Sequence, residues 1–444
     1  MIQSMVNEKM VNFVSPAEAV SLVQSGETIV VQGSTSIPQV LLRALTEQAS
    51  RLRDVKIICG FGISAEDAPY AKRELIDSFR ALNIFVPNCL RHAMREGTAD
   101  TIPCFLGEVP GLFRDGTVPV DVAFLNVSEP DEDGYCSFGV SADIAFSGQE
   151  CAKKVIAQVN KYMPHTAGEA KIHVSRISAM CRGDEPLVEV PTPVPSEIDT
   201  KIGNYIAAEI PDGATLQIGV GGIPNAVINA LSGHQHLGLH TEAITDGVLP
   251  LIQKGIIDNS LKKVLPGKSV GSLILGSRAL YDYVDHNEDV VIRDVAWTND
   301  PFIIRQNPKA MAINSAIEVD LTGQICADSI GETIISGVGG QHDFMYGASL
   351  SEGGKCFIAL PSMTGKGQSK IVPRLAPGAG VVTTRFQVQY IVTEHGIAYL
   401  RGLPLAERAR ELIRIADPSQ REALERAAVE RYGIGFLRKP LSRH

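Results

Sequence analysis

Apolar and polar positions along the chain follow two periods, and each period predicts a different kind of element. Short runs rich in β-branched residues are bounded by turn-forming positions: VKIIC from residue 55, VDVAFLNV from 120, KVIAQV from 154, VVIRDVAW from 290 and CFIALP from 356. Such runs are typical of buried strands. Other stretches have helical spacing, as at Ile198, Ile202, Ile206 and Ile210. This succession of elements predicts α/β layers with largely parallel sheets.

A similar segment occurs twice in the chain. The N-terminal copy is ETIVVQGSTSIPQVLLRAL and the middle copy is ATLQIGVGGIPNAVINAL, with Pro38 matching Pro224. A capping box precedes the first copy at Ser15–Glu18, and Ser196–Asp199 caps the helix that precedes the second copy. Each half is therefore predicted to contain a helix, a strand, a glycine-rich turn and a second helix in this order, which indicates an internal repeat. The alternative is a chance likeness between two αβα units.

The length and a proline-rich stretch predict the domain organisation. A chain of 444 residues is too long for one core. Prolines 191, 193 and 195 in VEVPTPVPSEID favour an extended linker. We therefore predict two similar open α/β domains with mostly parallel sheets, 1–190 and 191–444, related by the internal repeat. We expect the turns Gly33–Pro38 and Gly219–Pro224 to face a common cleft.

Charge and composition exclude several classes of function. The net charge of −9 argues against wide contact with nucleic acid. The N-terminal sequence MIQSMVNEKMVNFVSP has no apolar core of a signal peptide, and no long apolar run predicts a membrane span. The eight cysteines occur singly without C-x-x-C spacing, which indicates neither a zinc site nor a redox motif. We expect a cytoplasmic protein without a metal.

The turn in QIGVGGIPNAV, which begins at Gln217, has the look of a nucleotide-binding loop. The Rossmann fingerprint requires a glycine where this chain has Pro224. A P-loop requires Ser or Thr after Gly-Lys, but Cys356 follows Lys355. What remains is a turn that presents backbone N–H groups at a helix N-terminus, suited to an anion or a developing oxyanion. SGVGGQHDF, from Ser336, is a second such turn.

A carboxylate lies in LGLHTEAITDGV, residues 237–248. The pattern places Glu242 at the carboxyl edge of a strand, where α/β sheets carry their chemistry. Its apolar surroundings favour a desolvated nucleophile, and the alternative is a solvated loop glutamate. His240 is the nearest candidate for a general acid, or else a hydrogen-bonded structural residue.

These segments, in this order, resemble the acetyl-CoA hydrolase/transferase branch of the class I coenzyme A transferases. The likeness covers nearly the whole chain and includes DVAFLNVSEPDEDGYCSFGVS, LGLHTEAITDGV, SGVGGQHDF and IVTEHGIAYLRG. It is greatest to the 4-hydroxybutyrate and butyryl-CoA:acetate CoA-transferases of fermenting bacteria. Departures are Glu129 for a second proline, Ala243 for methionine and His395 for tyrosine. Ala243 adjoins Glu242 and leaves the size of the substrate open.

The resemblance implies covalent catalysis on Glu242. In the family the matching glutamate attacks an acyl-CoA thioester and becomes a glutamyl-CoA thioester, which a second carboxylate then resolves. Asn299, in TNDP, matches an oxyanion-stabilising side chain, and Gly340 supplies a backbone amide for the same purpose. Gln217 is expected to line the site. The alternative for Asn299 is a residue that only caps a turn.

The resemblance also implies which residues hold coenzyme A. These are Gly219, Val220, Gly221, Gly222, Ile223, Ile317, Gly339 and Gly340. Ile317 has the alternative of being plain core. Coenzyme A is then a substrate, no cofactor is permanently bound, and no metal is needed. The partners are an acyl-CoA and a short-chain carboxylate, and the family expectation is a homodimer.

Three functions remain to be weighed. The first is an acyl-CoA:carboxylate CoA-transferase with acetate as one partner. The second is an acyl-CoA hydrolase, in which water resolves the same intermediate. The third is a regulatory protein that binds coenzyme A without chemistry, which the joint presence of Glu242, Asn299 and Gly340 disfavours.

Overall fold

The structure, a computed structural model, describes residues 13–63 and 68–441. It divides into two compact units. The first contains the chain up to Pro191, with Glu242–Asp246 and Lys268–Asn299, and the second contains Thr192–Thr241, Gly247–Gly267 and the chain from Asp300 onward. The domain limits given above, 1–190 and 191–444, divide the linear chain and stay a prediction. Most of the stretch that bears on a signal peptide lies outside the described residues.

A seven-stranded, all-parallel sheet forms the centre of the first unit. In spatial order its strands are Ala99–Thr101, Phe79–Asn83, Val55–Cys59, Thr28–Val31, Val122–Val127, Lys154–Val159 and Ala179–Arg182. The predicted runs at 55, 120 and 154 are thus strands. The strand order reverses at Thr28–Val31, which places the first copy of the repeat at the switch point of the sheet.

Helices and three strand pairs complete the first unit. The helices are Pro16–Val20, Gln39–Glu47, Arg91–Glu96, Val109–Arg114, Ala145–Cys151, Arg278–Val284 and Val295–Thr298. The parallel pairs are Ala243–Thr245 with Leu273–Leu275 and Ser269–Gly271 with Val290–Ile292, and the antiparallel pair is Tyr135–Ser137 with Lys171–His173. The run VVIRDVAW is therefore a strand only as far as Ile292, because Asp294 caps the helix that follows.

A six-stranded sheet forms the centre of the second unit. Its strands, in spatial order, are Gly238–Leu239, Thr215–Ile218, Ala310–Ser315, Lys355–Ala359, Tyr390–Thr393 and Gly396–Tyr399. All adjacent pairs are parallel except the last, which is antiparallel. Smaller pairings join Glu318–Asp320 to Ile325–Cys326 and Ile371–Val372, and Ser329–Ile330 to Thr333–Ile334.

The helices of the second unit are Glu197–Ala208, Gly222–Ala230, Leu249–Gln253, Pro301–Ile304, Gln341–Leu350, Leu405–Arg414, Pro418–Tyr432 and Ile434–Leu437. One apolar core joins sheet and helices, with Phe344, Ile358 and Leu412 at or below 1% exposure. The close packing of Glu197–Ala208 on Gly222–Ala230 depends on Gly203, where a Cβ would lie 2.6 Å from the backbone of Ala226.

The predicted repeat is confirmed as a structural one. Capping boxes at Ser15 and Ser196 open the first helix of each copy. A central strand follows in each unit, Thr28–Val31 in the first and Thr215–Ile218 in the second, and each strand runs into a turn and a helix. Both sheets are mostly parallel, so the predicted fold class is confirmed.

Membrane-spanning helices and metal-binding clusters are both absent from the described residues. None of the helices there combines the length and the apolar character that crossing a membrane requires. Within residues 13–63 and 68–441, no cluster of three or more His, Cys, Asp or Glu residues has a metal-binding arrangement.

Candidate active site

Glu242 lies directly before the strand Ala243–Thr245, three residues after the strand Gly238–Leu239. Its backbone carbonyl accepts hydrogen bonds from the amides of Ser272 and Leu273, both at 3.0 Å, and from Ser272 Oγ at 3.2 Å. The side chain is half-buried. Three donors on one carbonyl fix the backbone, so the Cα–Cβ bond of Glu242 leaves the chain in a defined direction.

Asn299 provides a neutral donor to this carboxylate. Its Nδ2 donates to Glu242 Oε2 at 2.9 Å, although the two residues are 57 positions apart in the chain. Asn299 is completely buried. A neutral amide stabilises negative charge on oxygen without cancelling the charge that a carboxylate needs in order to act as a nucleophile.

The helix Val295–Thr298 sets the position of Asn299, which is its C-terminal cap. The Asn299 amide donates to Val295 O at 2.9 Å. At the other end, Asp294 Oδ1 accepts from the amide of Ala296 at 3.1 Å. Burial raises the pKa of Asp294, while hydrogen bonds from Arg114 and from that amide oppose the rise.

The remaining predicted site residues belong to the second unit. Gly219, Val220, Gly221 and Gly222 form the turn between the strand Thr215–Ile218 and the helix Gly222–Ala230, and Ile223 is buried in the first turn of that helix. Gly221 has φ +138° and ψ −175°, a conformation that only glycine adopts readily. A Cβ on Gly222 would lie 2.7 Å from Asp199 Oδ2. The glycines are therefore required by the backbone and by close packing.

Gln217 and Ile317 lie near the same edge of the six-stranded sheet as this turn. The strand that ends at Ile218 is paired in parallel with Ala310–Ser315, and the Gly219 amide donates to Ile313 O at 3.2 Å. Gln217 Oε1 accepts from the Ile313 amide at 3.1 Å and from Asn314 Nδ2 at 3.0 Å. The Gln217 side chain is thus engaged in joining the two strands. Ile317 is half-buried just beyond them.

Gly339 and Gly340 precede the helix Gln341–Leu350, with Gly339 at φ +55° and Gly340 as the N-cap. The helix packs on the strands Ala310–Ser315 and Lys355–Ala359. It ends shortly before Lys355, so it runs antiparallel to that strand and begins towards the carboxyl edge of the sheet. The glycine turns and Ile317 are therefore brought to one side of this sheet.

The two histidines noted in the sequence, His240 and His395, lie in different surroundings, one beside an aromatic ring and the other beside two carboxylates. His240 is buried, its amide donates to Leu216 O at 3.0 Å, and its ring centroid lies 6.2 Å from that of Phe344. His395 Nε2 lies 3.7 Å from a carboxylate oxygen of Glu394 and 3.7 Å from one of Asp417.

The first copy of the turn differs from the second in chemistry. Residues Ser34–Ser36 form a 3₁₀ turn, with Ser34 at φ +62°. Asp143 packs beside it, since a Cβ on Gly33 would lie 2.8 Å from Asp143 Oδ2. Burial raises the pKa of Asp143 to about 6. This turn is polar where the turn of the second unit has glycines.

Sequence patterns did not single out Ser272, Asn314 or Asp294. Ser272 holds the backbone of Glu242, and Asn314 engages Gln217. No local signal points to either, because each acts through a partner distant in the chain. Asp294 does carry a signal, since an aspartate directly before an apolar segment is a common N-cap.

The fold and the Glu242–Asn299 pair together are typical of a class of protein: an α/β enzyme with a half-buried carboxylate that accepts a hydrogen bond from a neutral donor, an arrangement suited to covalent acyl transfer. The model of the acetyl-CoA hydrolase/transferase N-terminal domain matches residues 3–191, and that of the C-terminal domain matches residues 276–428. The chain belongs to the acetyl-CoA hydrolase/transferase family, which confirms the family that its sequence indicates and its place among the CoA-transferase enzymes.

Individual relatives match over nearly their full lengths. A succinyl-CoA:acetate/propanoyl-CoA:succinate CoA transferase of Fasciola hepatica is 46% identical, covering 94% of this chain and 87% of the relative. A 4-hydroxybutyrate coenzyme A transferase of Clostridium kluyveri is 44% identical, covering 93% and 96%. The crystal structure of a 4-hydroxybutyrate CoA-transferase from Porphyromonas gingivalis superposes with a TM-score of 0.81 at 37% identity, covering 97% of this chain and all of that one.

Proposed function

We propose that this chain transfers coenzyme A between a short-chain acyl group, 4-hydroxybutyryl or butyryl, and acetate, through a covalent thioester on Glu242. The observation that carries the proposal is the hydrogen bond from the buried Asn299 amide to the Glu242 carboxylate. The names of the relatives from Clostridium kluyveri and Fasciola hepatica support a short-chain carboxylate as the partner.

The proposed reaction consists of two exchanges on the same carboxylate. A Glu242 oxygen attacks the thioester carbonyl, the C–S bond breaks, and coenzyme A leaves as a thiolate. The thiolate then attacks the glutamyl carbonyl of the mixed anhydride, and the first acid leaves as a carboxylate. Acetate reverses both steps and departs as acetyl-CoA. No step requires net proton transfer, so the mechanism needs no general base.

Asn299 would serve the oxyanions of this sequence. Each attack on a carbonyl at Glu242 generates a tetrahedral oxyanion, and a fixed amide stabilises that charge without reorganising. The second unit would hold coenzyme A through the turn Gly219–Ile223 and Ile317, whose positions share one edge of a sheet. Gly339 and Gly340 would supply backbone amides at the start of a helix.

Trapping the intermediate tests the proposal directly. With butyryl-CoA or 4-hydroxybutyryl-CoA and no acceptor, borohydride should reduce a thioester on Glu242 to an alcohol, detectable by peptide mass spectrometry. Glu242→Ala should abolish transfer and trapping, and Glu242→Asp should fail nearly as badly because its carboxylate is shorter by one methylene. Glu425→Ala, on an exposed position of the helix Pro418–Tyr432, is the matched control. Transfer that survives in Glu242→Ala would contradict the proposal.

Adding acetate distinguishes transfer from hydrolysis, the alternative that the family description itself includes. A transferase forms acetyl-CoA in proportion to acetate, with ping-pong kinetics, because the first acid leaves before acetate binds. A hydrolase releases free coenzyme A at a rate that acetate does not raise. A matrix of acyl donors and acids then defines the substrates.

A further inference from the structure

We propose that Arg114 and Glu169 are positioning residues for Asn299. They hold the start of the short helix whose C-terminal cap is Asn299, one through Asp294 and the other through Arg293. The inference rests on the proposed function, because it is the role of Asn299 towards Glu242 that gives its position a consequence.

The helix Val295–Thr298 is one turn long and cannot fix its own orientation. An isolated turn of this length is unstable in water, so contacts from outside must hold it. Val295 and Thr298 are completely buried, and Val295 packs in a core with Val109 and Phe113. These apolar contacts hold the helix in the core, but apolar burial is not directional, so it restrains rotation and sliding of the helix about its axis only weakly. Such a motion would carry Asn299 with it.

Arg114 restrains the start of the helix through Asp294. Its Nη2 donates to Asp294 Oδ2 at 2.5 Å and to Glu150 Oε2 at 2.6 Å, and the first of these bonds joins residues 180 positions apart. The Asp294 side chain is 8% exposed, and its other oxygen caps the helix. A buried carboxylate stays ionised only if a cation or donors compensate the loss of water. Arg114 thereby maintains the charge that makes Asp294 a strong cap.

Glu169 restrains the same turn from a second segment of the chain. Its Oε2 accepts from Arg293 Nη2 and its Oε1 accepts from Arg293 Nε at 3.1 Å. This bidentate ion pair, the Glu169–Arg293 fork, fixes the orientation of the two side chains as well as their distance. Glu169 Oε1 also accepts from the Asp294 amide at 3.2 Å. Arg293 in turn lies over the ring of Trp297, with its guanidinium carbon 3.9 Å from the ring centroid. The fork therefore acts on both ends of the turn.

The two restraints come from different segments of the chain and act on different groups, the Asp294 carboxylate and the Arg293 guanidinium, so together they oppose the rotation and the sliding that apolar packing restrains weakly. The hydrogen bond from Asn299 to Glu242 is 2.9 Å long. Either motion would break it, because a donor and an acceptor more than about 3.5 Å apart no longer form a hydrogen bond. A displacement of about 1 Å at a catalytic group can cost about 10²-fold in rate.

The experiment compares Arg114→Gln, Arg114→Lys and Glu169→Gln with the wild type. Arg80→Gln is the matched control, because Arg80 forms an exposed pair with Asp54 in the same unit. We expect Arg114→Gln and Glu169→Gln to lower kcat by about 10- to 100-fold while KM changes little, since the substrates still bind. Arg114→Lys should recover part of the rate, and Arg80→Gln should match the wild type.

Two further readouts separate positioning from general stability. Trp297 is the only tryptophan of the chain, so its fluorescence reports on this helix, and we expect an altered emission in Arg114→Gln and in Glu169→Gln. Arg114→Gln removes the cation that lowers the pKa of Asp294 and leaves the burial and the Glu150 charge that raise it, so Asp294 should take up a proton at higher pH. The acid limb of the kcat profile should then move to higher pH, which a merely less stable protein would not show.

Unchanged kcat and unchanged tryptophan emission in both Arg114→Gln and Glu169→Gln would overturn the inference. If Glu242→Ala were inactive in the same assay, the proposed function would still stand. If Glu242→Ala kept its activity, the proposed function would fail, and the emission of Trp297 would still decide whether Arg114 and Glu169 hold the helix. Should circular dichroism show that Arg114→Gln does not fold, Arg114→Lys and Glu169→Gln decide by the same two readouts.

Discussion

At the scale of single residues, Glu242 and Asn299 form a hydrogen-bonded pair in which Glu242 is charged and Asn299 is neutral. The carboxylate carries the negative charge, and it accepts a hydrogen bond from a neutral amide at 2.9 Å. An arginine or lysine in that place would hold the carboxylate more strongly, but would also make it a weaker nucleophile. In the proposed reaction, a neutral donor gains importance as charge moves from Glu242 to the oxygen of the attacked carbonyl.

Substitution of Asn299 tests its role as a neutral hydrogen-bond donor. Asn299→Ala should lower kcat by about 10²–10³-fold, the usual cost of removing one oxyanion donor. Asn299→Asp should be worse near neutral pH, because two facing carboxylates repel, and it should regain part of the rate at lower pH once the pair shares a proton. Steady-state kcat at several pH values gives the answer, with Asn287→Ala as a control in the same unit. Asn299→Ala with the wild-type kcat would exclude the oxyanion role.

At the scale of elements, the turn after the strand Thr215–Ile218 is built for close backbone approach. Gly221 is in a region of backbone space that non-glycine residues hardly enter, and Gly219 has no atom within 3.5 Å of where its Cβ would be. The turn therefore combines an obligatory glycine with space beside the backbone. This combination suits a ligand that contacts main-chain N–H groups.

Gly221→Ala distinguishes two roles of this glycine: the backbone conformation that only glycine adopts readily, and the proposed binding of coenzyme A. The substitution should destabilise the second unit by about 1–3 kcal/mol, because alanine is strained at this φ. If the turn binds coenzyme A, the dissociation constant of coenzyme A should rise as well. Chemical denaturation and calorimetric titration measure the two effects. Gly233→Ala, at an exposed position where a Cβ meets no atom within 4 Å, should change neither. An unchanged affinity in Gly221→Ala would argue against the binding role.

At the scale of the whole molecule, each unit is a sheet-centred core that carries one copy of the repeat at a central strand. Folding such cores buries some polar groups at a cost. Lys262 is the clearest example, since it is 3% exposed and its Nζ donates to Leu239 O at 2.8 Å. Burial lowers its pKa from 10.5 to about 7. The expectation that the two turns face one cleft stays a prediction.

The stability of the folded chain should therefore depend on pH through Lys262. Between pH 7 and 10.5 the unfolded chain holds a proton on this lysine that the folded chain lacks, so its penalty is greatest below about pH 7 and fades as pH rises. Lys262→Met should be more stable than the wild type near pH 7, and should lose that advantage towards pH 10, where only the lost bond to Leu239 O remains. Urea unfolding across this range measures the difference. The exposed neighbour Lys263→Met is the control, and a difference that is independent of pH would contradict the prediction.

The sequence by itself determined the class of fold and the family. Strand runs such as VKIIC, the capping boxes at Ser15 and Ser196, and the obligatory glycine at 221 depend on neighbours within a few positions, so they can be read locally. The same locality explains the error at VVIRDVAW, where an apolar run suits either a strand or a helix and only the cap at Asp294 divides it.

Only the tertiary structure decided which side chains act together. The contacts of Asn299 with Glu242 and of Arg114 with Asp294 join positions 57 and 180 residues apart, and no local period encodes such distances. It also decided that Gln217 is engaged by Asn314, and that Glu242 belongs with the strands around Leu273 in the first unit. The physical reason is that strand pairing and burial depend on the whole set of competing partners, so the position of a reactive group follows from the assembled sheets.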